Sequence, residues 1–394
     1  MTHIVHKPND KKPHLYYLDG LRGLAALYVL IVHIQPLMGE PLPIWLNIFQ
    51  ATMKYGRVSV VVFIILSGYG LMLSVIRSPS NSISGGFLGY IKRRSQRILP
   101  AYYAALVFCI ILAAGILALE KFTSFSWDLQ RGEYHFSPYF SMIDVVYHLL
   151  LIHNLSPDIF MSINPPLWTV ATEWHLYFLF PLLLLPLWRR FNLFFLFITA
   201  SLIGLAPLYV LNGFFESASP WFLGIFVMGM AAADIGFSQK PRLIALRNSL
   251  PWGKLATIFV VIAFLTEWRR LGLHIWISEY FFGFATACLF IYFTKLVTEG
   301  KKPPRILRLF EHPLAIALGA FSYSLYLIHG PIITLISRLL LSLNLSPTVF
   351  GVASYLLGVV MSLLFAYLFY LVFERPLMSN FLKKRKVKEA VKSL

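Results

Sequence analysis

The stretch Tyr16–His33, YYLDGLRGLAALYVLIVH, places Asp19 and Arg22 near its start and His33 at its end, with an apolar run between them. At 100° per residue, the eleven positions from Arg22 to His33 make three turns plus about 20°, so both side chains share one helix face about 16 Å apart. An oily helix with ionisable groups at two depths reads as a membrane helix that turns a polar face toward a bundle interior. Composition supports that medium. Of 394 residues, 58% are hydrophobic, 16% aromatic and 13% charged, with a mean hydropathy of +0.70, well outside the range of soluble domains. Several runs approach the roughly 20 apolar residues that cross a bilayer. The expected fold class is all-α, a polytopic integral-membrane bundle of about ten transmembrane helices at 17–38, 58–76, 98–119, 167–188, 192–211, 218–236, 254–271, 276–297, 312–341 and 347–373.

The formal charge of +17 is informative through its placement. Lys7, Lys11 and Lys12 precede the first span, and Arg77, Lys92, Arg93, Arg94 and Arg97 lie between or flank the second and third. Arg189 and Arg190, then Lys240, Arg242 and Arg247, then Lys301, Lys302, Arg305 and Arg308, then Lys383 to Lys392, fall in every other connection. This bias predicts a multi-pass protein of the inner cell membrane with both termini cytoplasmic, and argues against nucleic acid as a partner. Residues 1–14 and 377–394 are expected to be cytoplasmic tails around one transmembrane domain at 15–376. Met1 to His14 is polar and no small-residue cleavage site follows the first span, so no cleaved signal is expected. The apolar segment Ile143 to His153 is read as interfacial or re-entrant, because counting it as a span would invert the basic pair at Arg189 and Arg190. Cys109 and Cys288 read as small core hydrophobes, with no disulfide framework and no metal-ligand spacing.

Polar residues inside spans are where function is to be sought. Arg22 fits a snorkelling anchor paired with Asp19, and His33 fits a histidine at the outer interface; each also fits a site. The second span, GRVSVVVFIILSGYGLML, carries Ser67, Gly68 and Tyr69, which serve either close helix packing or a ligand. In YIKRRSQRILPAYY, Arg93 and Arg97 share a face with Arg94 beside them, an arrangement that follows topology and also matches phosphate geometry. NPPLWTVATEWHLYFLFPLLLL carries Trp168, Glu173 and Tyr177. In HPLAIALGAFSYSLYLIHGPII, Ser322, Tyr326 and His329 form a polar stripe at i, i+4 and i+7, either interhelical glue or part of a site.

Taken in order, Arg-x10-His after LDGLRG (Arg22, His33), SGY in the second span, RRxxRIxPxY (Arg94, Arg97, Pro100, Tyr102), LWxxxxEW (Trp168, Glu173), SYSLYLIH (Ser322, Tyr326, His329) and ERP (Glu374 to Pro376) resemble acyltransferase family 3 from about Leu15 to Pro376. The resemblance implies a ten-span membrane O-acyltransferase of the stand-alone form, without a soluble SGNH-type domain. Acyl-CoA, most often acetyl-CoA, would be its cytoplasmic co-substrate, with no cofactor bound permanently. A hydroxyl of an exopolysaccharide, O-antigen, other glycan or glycosylated small molecule would be the acceptor, with membrane lipids and polysaccharide-assembly proteins as partners. His33 is then the candidate base, Arg22 a donor-orienting or charge-balancing group, and Arg93, Arg94 and Arg97 the CoA-phosphate binders. Glu173 would orient His33 or the acceptor hydroxyl, and Ser67, Tyr69 or Tyr326 would donate to an oxyanion. Many family members have a second carboxylate after Glu173, where this chain has Trp174 and His175. The rival reading is a secondary transporter or flippase of envelope precursors using the same ionisable groups.

Overall fold

Every regular element among the described residues is helical, in a computed structural model that describes residues 15–36, 42–127, 135–301 and 304–377. In chain order the helices are α1 (Tyr16–His33), α2 (Ile44–Thr52), α3 (Gly56–Ile76), α4 (Gly86–Phe122), α5 (Met142–Leu149), α6 (Trp168–Leu179), α7 (Leu185–Arg190), α8 (Leu193–Tyr209), α9 (Phe222–Phe237), α10 (Pro241–Ser249), α11 (Trp252–Thr266), α12 (Ile275–Thr298), α13 (Arg305–Phe310), α14 (Pro313–Ala320), α15 (Ser322–Ser342) and α16 (Pro347–Phe369). Seven helical runs among them are long and apolar enough to cross a membrane, and an eighth if α10 and α11, bent by 68°, are one span. The ten spans read from sequence also counted α1, with 18 residues, and α8, with 17, which lie at the margin of crossing length. Both sequence-assigned tails, apart from Leu377, lie outside the described residues.

Two boundaries differ from the sequence reading. The span expected at 312–341 breaks at Phe321 into α14 and α15, and the span expected at 98–119 begins at Gly86. At 37 residues α4 is about 55 Å long, far more than a hydrocarbon core requires. Its first turns therefore carry Arg93, Arg94 and Arg97 on a rigid helix rather than on a loop. The segment 143–153 forms α5, eight residues and so about 12 Å, too short to cross. Ser141 and Asp144 cap its start reciprocally, and Tyr102 and Tyr103 of α4 donate to the His148 and Leu149 carbonyls at 2.9 Å each.

The core forms where α3 crosses α9. A Cβ on Gly68 would lie 2.1 Å from the Phe226 oxygen, and one on Gly229 would lie 2.3 Å from the Ile65 oxygen, so only glycine permits this backbone approach. Helix α9, apolar except for Asp234, is buried almost all round, as expected of a central membrane helix. Against this block α1 packs across α14, α3 and α15, which encloses the Arg22–His33 face within the protein.

Candidate active site

The arginine-bearing ends of α1 and α4 meet around a cavity of about 790 Å³. Arg22, Arg93, Arg94 and Arg97 line it together with Asp19 and Glu374, so four guanidinium groups face two carboxylates. The excess of two positive charges suits a polyanion, and the forked donors of arginine suit phosphate in particular. Each group is held from one side. Arg22 donates to Asp19 at 3.3 Å, Arg93 to the Ser84 carbonyl, and the Arg94 guanidinium sits 5.6 Å from the Tyr177 ring centre. Glu374 accepts from Ser324 Oγ at 2.6 Å.

Arg22, Arg94, Arg97, Ser322 and Tyr323 also line a deeper cavity of about 190 Å³. The rest of its lining is apolar except for Ser67, Thr169, Glu173, Tyr177 and Tyr326. The Glu173 carboxylate accepts hydrogen bonds from Ser67 Oγ and Tyr177 OH, as the one-turn spacing of Glu173 and Tyr177 on α6 allows. Tyr326 OH lies 2.7 Å from Thr169 Oγ1, and its ring meets Phe63 edge-on with centres 6.0 Å apart.

One turn beyond Tyr326 on α15 stands His329, 1% exposed, with ring centres 5.7 Å apart. His329 Nδ1 is 3.0 Å from the Leu325 carbonyl and its Nε2 is 2.7 Å from His33 Nδ1. A carbonyl can only accept, so Nδ1 of His329 carries the proton and its Nε2 is the acceptor. His33 therefore donates from Nδ1, and its Nε2 holds the available lone pair. The two partners thus set His33 in the tautomer of a base. A third imidazole, His135, lies with its ring centre 4.6 Å from that of His33. Gly330 makes this possible, since a Cβ there would be 2.5 Å from the His135 carbonyl oxygen. Burial pushes His135 down to about 4, so it is neutral at pH 7. His33 and His135 together line a small polar space of about 30 Å³, room for one water.

The structure therefore gathers Arg22, Asp19, Arg93, Arg94, Arg97, Ser67, Glu173 and Tyr326 around two adjoining cavities, with His33 and His329 one turn beyond. Three placements differ from the sequence reading. Glu173 lines the deeper cavity with Arg22 and bonds Ser67 and Tyr177, while the side chain hydrogen-bonded to His33 is His329. Ser67 commits its proton to Glu173 and is not an open donor. Tyr69 is fully buried elsewhere, 2.6 Å from Thr294 Oγ1 and 3.5 Å from the Tyr17 hydroxyl, because two residues rotate a helical side chain about 200° from Ser67. Trp168 faces a separate outer cavity, under the guanidinium of Arg57 at 5.3 Å. Sequence reasoning missed His135, which sits in a loop with no periodic signal. It also missed Arg57, although an arginine beside the apolar run VSVVVFIIL is a signal of the same kind as Arg22. Among the described residues, no group of three or more His, Cys, Asp or Glu side chains is placed to hold a metal.

Known proteins resemble the chain at the level of sequence. An O-acetyl transferase of Shigella phage Sf6 is 31% identical over 161 residues, covering 40% of this chain and 43% of that protein. The O-acetyltransferase OatA of Staphylococcus aureus strain NCTC 8325 is 25% identical over 343 residues, covering 81% of this chain and 51% of its own. The chain thus spans about half the length of these curated relatives. No solved structure matches it. The sequence profile of the acyltransferase domain matches residues 15–371, nearly the whole helical bundle. The chain belongs to the acyltransferase 3 family.

Proposed function

We propose that this protein is a membrane O-acetyltransferase that moves an acetyl group from cytoplasmic acetyl-CoA to a hydroxyl of an envelope carbohydrate. One observation carries the reading. Helix α1 bears Arg22 in a cation-rich cavity and, three turns on, His33 with its Nε2 set as a base. Arg93, Arg94 and Arg97 would hold the CoA phosphates in the wide cavity, and the narrower cavity that adjoins it would take the pantetheine and acetyl groups. The acceptor hydroxyl would approach His33 from the opposite membrane face. The two O-acetyltransferases named above support acetyl as the group and a transferase as the class.

The step follows from these positions. His33 Nε2 takes the hydroxyl proton as the oxygen attacks the thioester carbonyl. Tyr326 OH donates to the oxyanion, the C–S bond breaks, and the imidazolium returns the proton to the departing CoA sulfur. In this reading the basic ends of the spans are cytoplasmic, both termini lie on that side, the inner cell membrane is the site, and α1 and α8 complete ten spans.

The test is CoA release from acetyl-CoA by the purified protein in lipid nanodiscs, with and without crude envelope glycan. His33→Ala should lower glycan-dependent release by about 10²- to 10⁴-fold, the usual contribution of a general base. Arg97→Ala should raise the KM for acetyl-CoA roughly tenfold to a hundredfold, the equivalent of one charge-assisted hydrogen bond. Full acetylation by the His33 variant would remove the base assignment.

A further inference from the structure

Far from the arginine cavity, the connection between α8 and α9 closes over an outer cavity of about 680 Å³. Its lining includes Arg57, Trp168, Trp221, Phe214, Phe215 and Glu216. Three features make it a built site. The first is a fixed cation: Arg57 donates from Nε to Glu279 at 2.6 Å and from Nη2 to Ser219 Oγ at 3.2 Å, two of the five N–H groups of its guanidinium. Glu279 is itself only 2% exposed and also accepts from Trp221 Nε1. The second is backbone strain. Asn212, Phe215 and Ser219 adopt φ of 52°, 67° and 49°, left-handed values that residues with a side chain seldom adopt. The loop is nevertheless held, because Ser217 donates to the Asn154 carbonyl at 2.8 Å and Thr172 to the Ala218 carbonyl at 3.0 Å. The third is an aromatic pair, Phe214 and Phe215, with ring centres 4.1 Å apart and Phe214 59% exposed at the edge of the cavity.

We propose that this outer cavity is a carbohydrate subsite, holding a neutral sugar unit of the acceptor next to the unit that is acylated. Aromatic walls with a few fixed polar groups are the chemistry that binds a ring with C–H faces and a hydroxyl rim. Charge favours a neutral ligand over a phosphate. Arg57 is matched by Glu279, and the other acidic or basic side chain of the lining is a carboxyl, Glu216, beside His274 at 3.3 Å, so the lining offers no excess of positive charge to an anion. Position ties the cavity to the base. Gly56, just before Arg57, packs against Val32, just before His33, with a Cβ-to-Cγ1 distance of 2.8 Å for an added Cβ. Arg57 and His33 therefore stand at about one depth on touching helices. On α6, Trp168 lines this cavity while the next residue, Thr169, lines the deeper donor cavity and meets Tyr326. What is done to the bound sugar rests on the acyl-transfer reading, whereas the binding itself does not.

Saturation-transfer NMR on the full chain in nanodiscs tests the site with neutral tetrasaccharides built on glucose, galactose, mannose and N-acetylglucosamine. At least one should bind, Trp168→Leu and Phe214→Ser should each weaken it tenfold or more, and Trp168→Phe should stay within threefold. Phe214 is exposed enough that its variant folds, which separates lost binding from lost structure. The proposal is overturned if none of the four binds, if both variants bind as wild type does, or if inorganic phosphate or glycerol phosphate displaces the sugar. Sugar binding that depends on Trp168 without any CoA release would keep the subsite and remove the transfer reading. Glycan-dependent CoA release with an unchanged acceptor KM in both variants would do the reverse.

Discussion

Replacing His329 by leucine tests the assignment of the base most directly, because it leaves His33 itself untouched. In the wild type the His33 Nδ1 proton goes to His329 Nε2 at 2.7 Å, inside a region where His329 is 1% exposed. Without that acceptor, a buried N–H of His33 is left unmade in the productive tautomer, at a cost of about 1–3 kcal/mol. At 1.36 kcal/mol per tenfold, that corresponds to a fall in the productive population, and hence in kcat, of roughly 5- to 160-fold. The arginines proposed to hold the CoA phosphates begin at Arg22, about 16 Å down α1, so the KM for acetyl-CoA should change less than kcat does. His329→Gln, whose Oε1 can accept the same proton, should recover part of the loss. The assay is steady-state CoA release in nanodiscs with each substrate varied. A leucine variant that is folded and turns over within twofold of wild type would refute the orienting role, and with it the tautomer argument for His33.

Two further expectations concern the scaffold. At the α3–α9 crossing, Gly229→Val would put a Cβ 2.3 Å from the Ile65 carbonyl oxygen, so folded yield and the thermal midpoint in detergent should drop sharply, whereas Gly115→Ala, with nothing within 4 Å, should be neutral or stabilising. The second concerns pH. His148 and His153 outside the spanning helices are fully buried, ring-stacked at 3.9 Å, and both pushed below the usual histidine value by burial. The unfolded chain binds more protons than the folded one below about pH 6.5, so stability is complete above that pH and is lost on acidification, by up to about 1.4 kcal/mol per pH unit for each histidine. Thermal midpoints from pH 7.5 to 5 should show this slope, and His153→Gln should flatten it; an unchanged slope in the variant would assign the acid sensitivity elsewhere.

Local sequence carried the facts that depend on local physics. The apolar composition decided the solvent, and the 3.6-residue period alone put Arg22 and His33 on one face of α1. The i, i+4 rule likewise joined Arg93 to Arg97 and Glu173 to Tyr177, and the excess of cations in alternate connections ordered the chain's polar ends. What could not be read was the rotation and pairing of the helices. Apart from Arg57 and three serines α3 is largely apolar, so its pattern says little about which face turns to which neighbour; only its seating on α9 sends Ser67 to Glu173 and Tyr69 to Thr294. The hydrogen-bond partner of His33 lies 296 residues away, and the loop bringing His135 alongside reaches it only because Gly330 admits its backbone. Span boundaries at Phe321 and Gly86 were likewise decided by packing, since hydropathy does not register a bend between two apolar helices or a polar turn that stays helical. The sequence by itself determined the medium, the helices and the chemical groups along each one. The tertiary structure decided which of those groups meet, because contacts between uniformly apolar surfaces depend on shape and close approach, and neither is written in the pattern of hydrophobic residues.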